Sequence, residues 1–197
     1  MNRAYWACVL VVVCLTAVTP VFAQVLTRGP YLQSGTPTSV VVRWRTSAPT
    51  ESEVRYATNP NNLEDSVVVD ALTTEHEVRL TGLAADTRYY YSVGFAGIVL
   101  AGGNDCFFVT APTTPKPTRI WALGDSGTAN DDAAAVRDAY AAFVGSRYTD
   151  LWLMLGDNAY QSGTDEQYTD AVFNMYPTML RKNVLWPTIG NHETYNG

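Results

Sequence analysis

The run Arg119-Ile120-Trp121-Ala122-Leu123 ends in Gly124-Asp125-Ser126-Gly127, and two later runs end alike. Leu151 to Leu155 closes in Gly156-Asp157, and Val184 to Ile189 closes in Gly190-Asn191-His192-Glu193. Each run is short and apolar and reads as a strand. Between the first two, Asn130 can cap a helix on which Val136, Tyr140, Phe143 and Val144 share a face, with Gly145 as its stop. Between the last two, Thr164 and Gln167 have capping-box spacing and open a helix carrying Tyr168, Val172, Met175 and Tyr176 before Pro177. Strand, helix, strand, helix, strand predicts right-handed crossovers and a parallel sheet.

In such a sheet the carboxyl ends of the strands lie along one edge. Asp125, Asp157 and Asn191, about 30 residues apart in turn, can therefore converge on one crevice. The glycine before each lets the backbone turn sharply and come close. Oxygen ligands crowded together with no Lys or Arg among them repel one another unless cations sit between them. One Gly-Asp is a common turn pair. Three such ends in order, the last followed by histidine, form a more specific signal.

Upstream the periodicity changes. From Val25 to about Ala111, short alternating segments are separated by turn residues: Ser39 to Arg45, Glu53 to Ala57, Glu75 to Leu80 and Arg88 to Val93. This spacing predicts a β-sandwich. Ala111-Pro112-Thr113-Thr114-Pro115-Lys116-Pro117 has no apolar period and reads as a stiff linker. The expected organisation is a sandwich over 24–113, a linker over 114–118 and an α/β unit over 119–197.

At the start, Arg3, an apolar stretch from Trp6 to Val18, Pro20, and Val21-Phe22-Ala23 before Gln24 have the layout of a secretory leader over 1–23. The stretch is too short for a transmembrane span of about 20 residues. The expected location is secreted or periplasmic, with no membrane attachment once the leader is cut. Cys8 and Cys14 leave with it, so Cys106, beside Phe107 and Phe108, has no partner within the mature chain and reads as a small apolar strand residue. Of 13 Lys and Arg only Arg3 is lost, leaving 12 against 19 Asp and Glu, a net −7 with histidine neutral. No basic cluster interrupts this, which argues against nucleic acid as a partner. An acidic protein acting on a phosphorylated substrate needs positive charge from another source, such as bound metal.

Two stretches carry a family resemblance in the sandwich. Gly82-Leu83-Ala84-Ala85-Asp86-Thr87-Arg88-Tyr89-Tyr90-Tyr91 resembles the Gly-Leu-x-Pro-x-Thr-x-Tyr-x-Tyr segment of fibronectin-type-III-like domains, with Ala85 where proline is usual. Arg28-Gly29-Pro30-Tyr31-Leu32-Gln33 resembles the opening of the accessory domain found ahead of bacterial metallophosphoesterases. Gly124-Asp125-x-Gly127, Gly156-Asp157-x-x-Tyr160 and Gly190-Asn191-His192-Glu193 resemble the first three of five blocks of the calcineurin-like metallophosphoesterases, and the tyrosine resembles the purple acid phosphatase branch. The implied fold is a fibronectin-III-like β-sandwich followed by the first half of an α/β metallophosphoesterase domain.

The resemblance implies that Asp125 binds a first metal, Asp157 bridges two, Tyr160 binds the first as a phenolate and Asn191 binds the second. It implies ferric iron at the first position and zinc, iron or manganese at the second, with His192 outside the metal shell near the leaving group. Two cations about 3.5 to 4 Å apart generate hydroxide at modest pH and clamp an in-line phosphoryl displacement. A carboxylate can span that gap, whereas an amide binds without adding charge. His192 could help protonate the departing alkoxide or steady the phosphate. The implied activity is hydrolysis of a small-molecule phosphate ester, a phosphomonoester by default.

The family's last two blocks supply histidine ligands, and this sequence holds only His76 and His192. Asp125, Asp157, Tyr160 and Asn191 alone leave both shells open, so metal affinity should be poor. An unpaired strand edge and an uncovered sheet face are expected as well. The 197 residues read as the front of a longer product or as a truncated inactive one. His76, in a polar strand, reads as a surface residue.

Two other classes compete. Gly124-Asp125-Ser126 also resembles the Gly-Asp-Ser esterases, which would make Ser126 a nucleophile. That class wants Gly-x-Asn-Asp in a later block, where this chain has Gly-Asp-Asn, and a histidine near its C-terminus. A secreted binding module would use Arg43, Trp44, Arg45 and Tyr89, Tyr90, Tyr91, although strand alternation sends half of these into the core.

Overall fold

A computed structural model describes residues 24–194, so the leader read over 1–23 lies outside the described residues. Six strands form the sandwich: β1 (Leu26–Gln33), β2 (Ser39–Ala57), β3 (Asp65–Thr81), β4 (Arg88–Phe95), β5 (Ile98–Ala101) and β6 (Phe107–Val109). Segments 39–45 and 53–57, expected as separate strands, are two halves of β2. Its register shifts between Arg45 and Ser52, so one half pairs with β1 and the end of β3 while the other pairs with the start of β3 and with β4. Such irregularities let one strand serve both layers of a sandwich. Leu32, Val40, Val42, Trp44, Val54, Val78, Leu80, Tyr91, Val93 and Phe108 fill the space between, together with buried Cys106. Ala84 N–H donates to the Tyr89 hydroxyl at 3.0 Å, tying the turn before β4 back onto that strand.

His76 overturns its surface expectation, being 1% exposed. Its ring stacks on Trp44 with centroids 4.6 Å apart and planes 3° apart. Thr46 Oγ1 lies 2.7 Å from Nε2 and Ser52 Oγ 2.8 Å from Nδ1. Both ring nitrogens are satisfied without charge, which removes the main cost of burying imidazole. Desolvation holds its pKa below the ordinary histidine value. The polar look of the strand misled because the partners of His76 come from the neighbouring strand β2, at its register shift.

Beyond the proline-spaced stretch, β7 (Ile120–Leu123), β8 (Leu151–Met154) and β9 (Leu185–Pro187) form a parallel sheet in that order. Helix α1 (Asp131–Val144) connects the first pair. Asn130 accepts from Ala133 N–H at 3.0 Å, and Gly145 closes the helix. The buried side of α1 differs from the expected one: Ala133 and Tyr140 pack inward, while Val136 and Phe143 are 55% and 71% exposed. Tyr140 stacks on Trp121 at 4.1 Å, and that aromatic contact sets the rotation of the helix.

The second connection is α2 (Asp165–Tyr168), a π-helical stretch (Thr169–Asn174) and α3 (Pro177–Leu180). Both arms of the Thr164/Gln167 capping box are made, and Val172, Met175 and Tyr176 are buried as expected. They meet Trp121, Trp152 and Met154 in a second core, which Tyr31 of β1 enters against Phe173 at 4.9 Å.

The two layers are joined by more than the linker. Leu32 bridges to Val184 in parallel, Tyr91 hydroxyl donates to the Arg181 carbonyl at 3.0 Å, and Lys182 pairs with Asp105 at 2.8 Å. Asp165 receives Arg28 at 2.9 Å and Arg45 at 2.7 Å. Among the described residues the other face of the parallel sheet is bare: Ile120, Leu155 and Trp186 are 53%, 56% and 41% exposed. No helix of the described residues is long and apolar enough to cross a membrane.

Candidate metal centre

The carboxyl ends of β7, β8 and β9 share one rim, and the loops that leave them are cross-linked. Asp125 N–H donates to the Gly156 carbonyl at 3.1 Å, and Gly127 N–H to the Asp157 carbonyl at 3.0 Å. Tyr160 N–H returns to the Gly127 carbonyl at 3.0 Å. Asp125 and Asp157 both adopt left-handed backbone, φ 52° each. That region costs most residues energy and persists where surrounding bonds hold it, as they do here. Close approach is tightest at Gly190, where a Cβ would stand 2.2 Å from Asp157 Oδ1. A Cβ on Gly156 would meet the Gly190 backbone at 2.8 Å, and its φ of 98° excludes larger residues independently.

Three of the four sequence-predicted metal ligands are in this cross-linked cluster. The Tyr160 phenol donates to Asp125 Oδ1 at 3.1 Å. Asp157 is buried, and its Oδ1 accepts from His192 N–H at 3.0 Å. Asn191 sits exposed on the same rim between Gly190 and His192, its carbonyl receiving Thr194 N–H at 3.2 Å. His192 packs edge-on against Tyr160, centroids 4.6 Å apart, and its Nδ1 lies 2.7 Å from the Gln161 carbonyl. A carbonyl only accepts, so Nδ1 carries the proton of that bond.

Desolvation pushes the Tyr160 phenol up to about 12, helped by its bond to Asp125 and by the charges of Asp125, Asp157 and Glu193. The hydrogen bond and these charges add to the desolvation in favouring the neutral phenol. Two carboxylates and a phenol suit a hard cation. Among the described residues, however, no group of three or more His, Cys, Asp or Glu is disposed to hold a metal. The donor set fits part of a metal shell.

Glu193 was missed as a working residue, although it stands inside the third motif. Its Oε2 accepts from Asp157 N–H at 3.0 Å and Gly190 N–H at 2.7 Å, and its Oε1 from Asn158 N–H at 2.7 Å and Ala159 N–H at 3.1 Å. One carboxylate thus fixes the backbone of two of the rim loops. The available signal was an acidic residue within a motif whose loops need an acceptor for several N–H groups.

Among the described residues Ser126 is buried and its Oγ has no hydrogen-bond partner, so none of them is placed to activate it. Trp44 and Tyr91 are core residues, while Arg43 and Arg45 are engaged by Glu77 and by Glu75 and Asp165.

Residues 28–103 match the family model described as Purple acid Phosphatase, N-terminal domain. "Purple acid phosphatase 22" of Arabidopsis thaliana is 26% identical over 152 residues, 73% of this chain and 32% of that protein. That alignment is longer than the matched domain and so takes in residues outside it. The solved "Structure of PhoD" superposes with TM-score 0.64 at 15% identity, covering 90% of this chain and 41% of that one, a likeness of fold. The fn3 domain of human contactin 1 gives TM-score 0.39 at 16% identity, covering 54% of this chain and 93% of that one. The chain spans about a third of the curated relative and two fifths of the solved structure. Residues 28–103 thus resemble the N-terminal domain of the purple acid phosphatases, and the chain is similar over most of its length to a protein of that name.

Proposed function

We propose that this chain contributes part of the site of a metal-dependent phosphoric ester hydrolase of the acid phosphatase type. The observation that carries the reading is the Tyr160 phenol resting on Asp125 beside buried Asp157, at a rim where three parallel strands end. Asp125, Asp157, Tyr160 and Asn191 would hold a dinuclear centre, ferric iron with zinc, iron or manganese. When bound, the metals supply Lewis acidity and a nucleophile at modest pH.

The residues of the chain do the rest. Asp125 and Asp157 concentrate negative charge for the cations, and Glu193 keeps their loops in register. Tyr160, whose phenol is pushed up to about 12, would hold a cation through its phenol oxygen in place of the proton. His192, held through Nδ1 beside Tyr160, would steady a phosphate ester or protonate a departing alkoxide. The substrate would be a small phosphate ester, with no nucleic acid or membrane partner, and the leader over 1–23 would send the chain out of the cytoplasm. The histidine ligands of the full shells would come from outside the residues present here.

The test is titration of residues 24–197 with ferric iron and with zinc, alongside phosphomonoester hydrolysis. We expect weak binding that Asp125→Asn and Asp157→Asn each weaken about tenfold further, and a visible phenolate-to-iron absorption lost in Tyr160→Phe. Binding indifferent to all three substitutions would overturn the reading. Robust turnover by these residues alone would overturn the incomplete-shell part of it.

A further inference from the structure

At the opposite edge of the parallel sheet lies a cavity of about 540 Å³, bounded by the end of α1, the approaches to β8 and β9, α3 and the sandwich residues Arg88 and Phe107. Thr149 and Asn183, which line it, stand just before β8 and β9, so the length of β8, roughly 13 Å at 3.3 Å per residue, separates it from the Asp125 rim. Its volume falls in the range of small-molecule sites, about 300 to 1,000 Å³.

The chain carries net −6, yet Arg88, Arg137, Arg147 and Lys182 all line this one cavity. The carboxylates nearby balance two of the four. Asp138 is the single acidic residue of the lining and is taken by Arg137 at 2.8 Å. Lys182 is answered by Asp105 at 2.8 Å, which lies outside the lining. Arg147 turns back onto the carbonyls of Val144, at 2.9 Å, and Phe143, quenching the negative end of α1 rather than meeting an anion. The Arg88 guanidinium lies over the Phe107 ring at 4.5 Å and has no hydrogen bond or ion pair among the described residues.

The walls are aromatic. Phe107 and Tyr148 face each other with centroids 5.9 Å apart, and Tyr140, Met175 and Tyr176 add apolar surface. Like charges gathered at one mouth repel until an anion joins them, and a guanidinium is shaped to grip two oxygens of a phosphate or carboxylate. We propose that this cavity is a binding site for a small aromatic anion, its oxyanion head held by Arg88 and Arg147 and its ring set against Phe107 and Tyr148. It is independent of the metal rim and of the hydrolase reading.

The test uses the full chain treated with a chelator and titrated calorimetrically with phenylphosphonate, with benzoate and with inorganic phosphate. We expect phenylphosphonate or benzoate to bind one to one with Kd of about 1 mM or tighter. Inorganic phosphate should bind at least tenfold more weakly, and Arg88→Ala should weaken the aromatic anion about tenfold, equal to about 1.4 kcal/mol. Arg147→Ala is the second variant, and near-ultraviolet circular dichroism checks that each is folded. Asp125→Asn should leave the affinity unchanged. Absence of saturable binding, equal affinity for inorganic phosphate, indifference to both arginine substitutions, or loss of binding in Asp125→Asn would each overturn the proposal.

Discussion

Glu193 shows what a single side chain does at the rim. Its carboxylate takes four backbone N–H groups from the loops that carry Asp157 and Asn191. Hydrogen bonds to a charged acceptor contribute about 1.5 to 3 kcal/mol each when buried, and water can replace part of that at a half-exposed rim. Glu193→Ala should therefore lower stability by about 2 to 4 kcal/mol, read from the urea midpoint, and Glu193→Gln by roughly half as much. A change below about 0.5 kcal/mol, typical of plain surface substitutions, would show that the loops hold their shape without it. His76 makes the same point in the sandwich: the histidine was visible in the sequence, but the two hydroxyls that neutralise its burial were not.

At the scale of elements, Asp165 ties the first turn of α2 to the sandwich. Arg45, then Arg28, draw its carboxyl well below the usual carboxylate range. Its side chain is 61% exposed, so solvent screens most of that attraction, whereas Arg28 is 7% exposed and depends on its partners. A double-mutant cycle on Arg45 and Asp165 should return a coupling of about 0.2 to 1 kcal/mol that shrinks in high salt. Asp165→Ala alone should cost more, about 1 to 3 kcal/mol, because the buried Arg28 guanidinium then loses its carboxylate and keeps the Thr169 hydroxyl, the residue-165 carbonyl and the Phe173 ring. Equal costs for the single and double variants, with no salt dependence, would contradict this division of labour.

At the scale of the molecule, the parallel sheet is covered by α1, α2 and α3 on one face and by none of the described residues on the other. Parallel sheets are ordinarily buried on both faces. Ile120, Leu155 and Trp186 together expose an apolar surface that should drive self-association as concentration rises. Light scattering on Leu155→Lys should show less association than the unsubstituted chain, with a stability change within about 0.5 kcal/mol, since no packed neighbour is lost. A large stability loss would mean that Leu155 is packed after all.

Local patterns determined much of this architecture. The apolar runs ending in glycine set three parallel strands and their shared rim, Asn130 and the Thr164/Gln167 box set two helix starts, and alternation set the sandwich, because these signals act within a few residues. Helix rotation, the burial of His76, the fusion of two segments into β2, the stitching of sandwich to α/β layer and the latch at Glu193 were decided only by tertiary structure. Each depends on a partner distant in sequence: Trp121 for Tyr140, Thr46 and Ser52 for His76, Arg28 for Asp165, the loop after β8 for Glu193. A linear pattern records that a side chain wants a partner, but packing chooses which one it gets.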